Sequence, residues 1–190
     1  MNHRVFIAVN LPKDIKEQLL VQQKRLRDLP ARWAKEDNLH ITLIFLGYLK
    51  DEEIVKVCEA VKEVAQKTIP FSIKLNEICY GPPEKIPPRM VWILGEKSKD
   101  LANLKDNLEK ELLGNPSLNN LKTGVRLFSP HITLGRIRQW EWQRIEPEER
   151  PEIETELFLT FEVQSIEVME SHLKRGGAEY LVLESAPFAT

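Results

Sequence analysis

Cysteine is scarce in this chain: Cys58 and Cys79 are the two present in 190 residues, far apart and in no C-x-x-C pair. That argues against a disulfide framework and favours a reducing compartment. An excess of positive charge is also missing, the formal net charge being −2. Proteins that grip a long nucleic acid neutralise many phosphates and are normally basic, so any RNA would be held at an end or over a few nucleotides. No apolar run approaches the roughly 20 residues that cross a bilayer. The opening Met1 to Pro12 lacks a small-residue cleavage site and does not read as a signal peptide. Cytoplasm and no membrane partner are the expectations. Low-complexity segments and clear linkers are absent too. With 42% hydrophobic and 29% charged residues, the chain reads as a globular monomer, one domain over 1–190.

What is present alternates between strand and helix patterns. Arg4 to Val9 reads as a buried strand, and Pro12 to Leu29 as a helix with Ile15, Leu19, Leu26 and Leu29 at helical spacing. Leu39 to Leu46 is strand-like. Asp51 offers an N-cap for a helix with Ile54, Cys58, Val61 and Ala65 on one stripe. Phe71 to Tyr80 and Arg89 to Leu94 read as strands joined by a proline-rich turn. Ser98 can cap a third helix with the stripe Leu101, Leu104, Leu108 and Leu112, with Gly114 past its end. A strand over Leu127 to Ile137, an exposed charged loop from Arg138 to Glu154, and two strands near Leu157 to Met169 and Glu179 to Leu183 complete the pattern. Strands in direct succession point to an α+β fold with largely antiparallel pairing.

One tetrapeptide occurs twice: His40-Ile41-Thr42-Leu43 and His131-Ile132-Thr133-Leu134. Composition alone predicts about 0.02 matches to H-x-T-L in a shuffled chain. In a strand, residues two apart project from one face, so each copy places an imidazole beside a hydroxyl with aliphatic residues on the opposite side. Leu39, Ile41, Leu43 and Phe45 share the core parity of the first copy. Pro130 marks the start of the second strand, where a missing ladder hydrogen bond is tolerated.

Two imidazoles suit in-line displacement at phosphorus, in which one group takes a proton from the incoming oxygen and another gives one to the departing oxygen. The hydroxyls can donate hydrogen bonds to non-bridging oxygens as charge develops there. Arg136 would pair bidentately with phosphate, but strict alternation turns it away from His131 unless Gly135 permits a bulge. Lys122, Arg126 and Arg138 lie near it in sequence and could attract an anion. Lys24-Arg25-Leu26-Arg27 reads as the solvated face of the first helix. Trp33, Trp92, Trp140 and Trp142 could stack on bases, although core anchoring is the commoner use. His3 and His172 have no matching threonine and read as incidental. No H-x-x-x-H spacing suggests zinc, so no metal and no cofactor is expected.

The paired motifs, within LHITLIFLG and SPHITLGR, together with the opening RVFIAVNLP, resemble those of the 2H phosphoesterase superfamily. The resemblance is closest to its RNA 2′,3′-cyclic phosphodiesterase branch, also called LigT-like or 2′-5′ RNA ligase. It implies a bilobal fold of two mostly antiparallel sheets with helices outside, pseudo-two-fold symmetry, one motif per lobe and a central cleft. It further implies metal-independent opening of a 2′,3′-cyclic phosphate, on RNA or a small cyclic nucleotide, to a 2′-phosphomonoester. His40 would be the proton donor, His131 the proton acceptor, and Thr42, Thr133 and Arg136 would bind phosphate. A ligase side activity follows from the same likeness. The alternative is a non-catalytic RNA-end or nucleotide-binding module using the same cleft.

Overall fold

The computed structural model describes residues 2–119, 121, 128–175 and 177–189, so Lys122, Arg126 and Leu127 lie outside the described residues. In chain order the elements are β1 (His3–Asn10), α1 (Lys13–Arg25), β2 (Ala31–Trp33), β3 (His40–Leu49), α2 (Asp51–Ala65), β4 (Phe71–Gly81) and β5 (Met90–Gly95). They continue with α3 (Lys99–Gly114), β6 (His131–Ile137), a one-turn α4 (Gln139–Trp142), β7 (Thr155–Val163), β8 (Ser165–Lys174) and β9 (Gly177–Pro187).

Among the described residues every strand pairing is antiparallel, in the order β7-β4-β5-β6-β3-β1-β8-β9, with β2 against β6. The fold is α+β, as the succession of strands predicts. The two expected sheets are the two halves of this one path. They join at β3 and β6 through the residue pair Ile41 and Ile132.

Strand β1 is buried on both sides, which is why Val5 to Val9 is a continuous apolar run instead of an alternation. Val5, Ile7 and Val9 enter the main core with the helices, whereas Phe6 and Ala8 form a separate small cluster with Met169. The helices pack across the seam. Helix α1, which follows β1 and leads into β2, touches β6, and α3, which links β5 to β6, touches β3. Helix α3 follows its expected pattern: Leu101, Leu104, Leu108 and Leu112 are buried, and the Ser98 hydroxyl accepts from the Leu101 amide at 3.1 Å. Its last residue is Gly114, with Asn115 as the cap.

Elsewhere the chain departs from its sequence pattern. Asp51 is the first residue of α2, not its cap; the Lys50 amide donates to the Glu53 carboxylate at 2.7 Å instead. The buried stripe of α2 is Val57, Ala60, Val61, Val64 and Ala65, leaving Ile54 and Cys58 half-buried. Helix α1 ends at Arg25 because the chain turns at Leu26 to Leu29 into the three-residue β2, too short to show a period. The apolar stretch Leu157 to Met169 is two strands, reversing at Gln164. The expected loop from Arg138 to Glu154 contains α4, whose Trp142 is buried edge-on against Tyr80, with ring centroids 5.3 Å apart. Among the described residues no helix is long and apolar enough to cross a membrane.

Candidate active site

His40 and His131 are the first residues of β3 and β6. Among the described residues the Ile41–Ile132 pair is the only ladder contact between those strands, and both isoleucines are fully inside the core. Alternation therefore turns His40, Thr42, His131 and Thr133 to the other face, on either side of the seam. All four are half-buried.

The two imidazoles are anchored alike. His40 Nδ1 meets the Asn38 carbonyl at 2.8 Å, and His131 Nδ1 meets the Ser129 carbonyl at 2.8 Å. A carbonyl can only accept, so each Nδ1 carries the hydrogen and each neutral ring keeps its Nε2 lone pair for the site. His40 Nε2 lies 3.0 Å from the Thr42 hydroxyl. The ring walls differ. His131 lies stacked on the buried Trp92, centroids 3.8 Å apart, whereas His40 is held between Phe6 at 5.1 Å and the edge of Tyr180 at 5.2 Å. Met90 ties the second half together, its sulfur accepting from Trp92 Nε1 at 3.4 Å and from the Thr133 hydroxyl at 4.0 Å.

Burial pushes His40 down from the usual 6.5 to about 4; the Asn38 carbonyl opposes this, while the charges of His131 and of the buried Lys16 on α1 add to it. Burial also lowers His131, against the Ser129 carbonyl. A charge on the His131 ring is thus felt by His40 across the seam.

A bulge answers the parity problem at Arg136. Along β5, Trp92 pairs with Thr133 but the neighbouring Val91 pairs with Gly135, so Leu134 is skipped. The burial of both Leu134 and Gly135 restarts the alternation, and Arg136 emerges on the exposed side with His131 and Thr133. The Gln23 amide donates to the displaced Leu134 carbonyl at 3.0 Å, as does the Ala34 amide at 2.8 Å. The first copy bulges at its own leucine: Ala8 pairs with Thr42 and Ile7 with Ile44, skipping Leu43. Phe45 is consequently 64% exposed, contrary to its sequence parity.

Other candidates are used structurally. Arg138 pairs with Glu141 and donates to the Ala31 carbonyl at 3.0 Å, which fixes the turn after β6 and leaves it poorly placed to attract an anion. His3 and His172 are not incidental: both contact the buried Glu170, at 2.7 and 3.1 Å, and His3 also contacts Asp51 at 2.7 Å. Trp140 is exposed, with the Arg144 guanidinium 5.0 Å over its ring. Cys58 and Cys79 are free thiols, and burial pushes Cys79 up to about 11. Among the described residues no group of three or more His, Cys, Asp or Glu could hold a metal ion. Trp92, one of the tryptophans that could have stacked on a base, is buried against His131 instead, while Asn38, Ser129, Met90 and Tyr180 carried no sequence signal. Asn38 and Ser129 act through backbone carbonyls, and the others depend on strand register.

The LigT-like phosphoesterase family model matches residues 9–92, which include the first motif and stop short of the second. An RNA 2′,3′-cyclic phosphodiesterase of Thermus thermophilus is 31% identical over 188 residues, covering 95% of this chain and 88% of that protein. One from Aquifex aeolicus is 30% identical over 188 residues and 95% of each chain. The crystal structure of a Thermus thermophilus protein superposes with a TM-score of 0.82 at 25% identity over 97% of both chains. These alignments run the length of the sheet and through both His-x-Thr strands: the chain belongs to the RNA 2′,3′-cyclic phosphodiesterase family of LigT-like 2H phosphoesterases.

Proposed function

We propose that this chain hydrolyses 2′,3′-cyclic phosphate ends of RNA, or small cyclic nucleotides, to 2′-phosphomonoesters without a metal, with its two halves acting as lobes of one domain. The observation that carries this reading is the pair of identically anchored imidazoles facing one side of the sheet across the Ile41–Ile132 seam. His131 Nε2 takes a proton from water as the water oxygen attacks phosphorus. The P–O3′ bond breaks on the far side, and O3′ receives a proton from His40 Nε2. Each transfer contributes typically about 10²–10⁴-fold. The Thr42 and Thr133 hydroxyls donate to the non-bridging oxygens, and the Arg136 guanidinium offsets their charge. Attack by an RNA 5′-hydroxyl instead of water would use the same base and yield a 2′-5′ bond, which is the ligase side activity. The free thiols Cys58 and Cys79 support a cytoplasmic setting.

The test supplies the purified protein with a cyclic-phosphate oligonucleotide and with 2′,3′-cyclic AMP, in excess chelator, and identifies the product by phosphorus NMR. A 2′-monoester is expected. Binding without turnover would instead identify a non-catalytic RNA-end module, and a 3′-monoester would overturn the assignment of the leaving oxygen.

A further inference from the structure

Arg136 has a neighbour that lies outside both motifs. Strand β2 runs antiparallel to β6, with Ala31 opposite Ile137, Arg32 opposite Arg136 and Trp33 opposite Gly135. Ala31 and Ile137 are buried in the core, and the Trp33 ring closes over Gly135, where an added Cβ would stand 2.8 Å from Trp33 Cε3. Alternation therefore sends Arg32 out beside Arg136, on the face that carries His131 and Thr133.

Like charges directly opposite each other on adjacent strands are destabilising, their Cβ atoms being about 4.5–5.5 Å apart. A carboxylate between them would offset the repulsion. Among the described residues neither Arg32 nor Arg136 has an ion-pair or hydrogen-bond partner. The cations on either side are paired, Lys35 with Glu179 at 3.4 Å and Arg138 with Glu141. An unneutralised double cation is thus held at one place in the site.

That place lies at one end of the seam. Antiparallel pairing about Ile41–Ile132 sets His40 toward Thr133 and His131 toward Thr42. Arg136 follows Thr133 along β6 with Arg32 beside it, so both stand at the His40 end, away from His131. Tyr180 agrees with this placement. Its ring edge meets His40 at 5.2 Å, and burial, which raises its hydroxyl, is opposed by the charges of Arg4 and Arg136.

We propose that Arg32 holds the phosphate on the 5′ side of the terminal nucleoside while Arg136 holds the cyclic phosphate, so that the site reads a polynucleotide end and not an isolated cyclic nucleotide. With O3′ leaving toward His40, the nucleoside and its 5′-phosphate extend to the end of the seam where Arg32 stands. The bound anions relieve the repulsion present in the free protein, and a guanidinium fork matches phosphate oxygens bidentately. The inference rests on the phosphodiesterase reading and adds the substrate class.

The experiment compares 2′,3′-cyclic AMP with adenosine 5′-phosphate 2′,3′-cyclic phosphate, which adds the phosphate and no second base. The wild-type protein is expected to prefer the second compound. In Arg32→Gln the ratio of kcat/KM for the second over the first is expected to fall about tenfold, mostly through KM, as expected for one lost charge-assisted contact. The salt dependence of log kcat/KM for the second compound should lose about 0.7 in slope. Arg32→Lys, which keeps the charge, is expected to retain most of the ratio. The urea midpoint of Arg32→Gln should not fall, since the substitution removes a like-charge pair. A wild-type protein without the preference, or an unchanged ratio in Arg32→Gln, overturns the subsite and leaves the phosphodiesterase reading intact. Equal losses on both compounds put Arg32 on the reacting phosphate or in the scaffold and also overturn it. Wild-type inactivity toward both compounds overturns the function and the subsite together.

Discussion

At residue scale the two catalytic candidates share one backbone anchor and differ in their walls. Carbonyls at Asn38 and Ser129 fix the same tautomer in both rings, whereas His40 is flanked by two rings, Phe6 and Tyr180, and His131 is stacked on one, Trp92. Both imidazoles are held below the usual 6.5, His40 at about 4. A reaction that needs one imidazolium and one imidazole therefore draws on a form of the free enzyme that diminishes as pH rises. We predict that kcat/KM for 2′,3′-cyclic AMP peaks below pH 6.5 and declines from pH 6.5 to 8.5. The kcat profile sits at higher pH, because a bound phosphate anion favours the imidazolium. A rise in kcat/KM over that range would contradict the assignment. The same depression costs stability: the unfolded chain binds the His40 proton first, so stability is lost as pH falls from about 6.5 toward 4. His3 has the opposite sign. Hydrogen bonding to Glu170 raises it, so its stabilisation is present below 6.5 and fades as pH climbs through the raised value.

At the scale of elements, what the sequence made legible was local. The duplicated tetrapeptide, the Leu101–Leu112 stripe and the Ser98 cap each depend on residues within a few positions of one another, and each is present in the structure. What it hid was set by register. Phe45 has core parity in the chain, but a one-residue bulge at Leu43 turns it outward, just as the bulge at Leu134 turns Arg136. The three-residue β2, the β7–β8 reversal and the burial of Trp142 likewise depend on partners far along the chain. So does the position of Trp92. The backbone of Gly81 approaches its ring so closely that an added Cβ would stand 2.1 Å from Trp92 Cδ2. Gly81→Ala must therefore displace the indole on which His131 rests. We expect a loss of about 1–3 kcal/mol in urea unfolding, and a fall in kcat larger than any rise in KM, because the disturbance reaches the His131 ring stacked on Trp92. Wild-type stability together with wild-type kcat would show that Trp92 does not position His131.

At the scale of the whole molecule, the sheet runs outward from its seam as β3-β1-β8-β9 in one direction and β6-β5-β4-β7 in the other. The units β1-α1-β3 and β5-α3-β6 correspond, and each contributes its helix to the other's motif strand. Both halves share one hydrophobic core, so the two motif strands are positioned as one body. In the proposed mechanism, that shared core and the single residue pair at the centre hold two imidazoles against one anion. The measurement that tests this most directly is turnover of 2′,3′-cyclic AMP in chelator by His40→Ala, His131→Ala and the double variant. Each single replacement is expected to lower kcat at least about 10²-fold. The double variant should lose far less than the product of the two losses, as expected of groups acting together on one phosphorus. Multiplying losses, or full turnover in either single variant, would contradict the account.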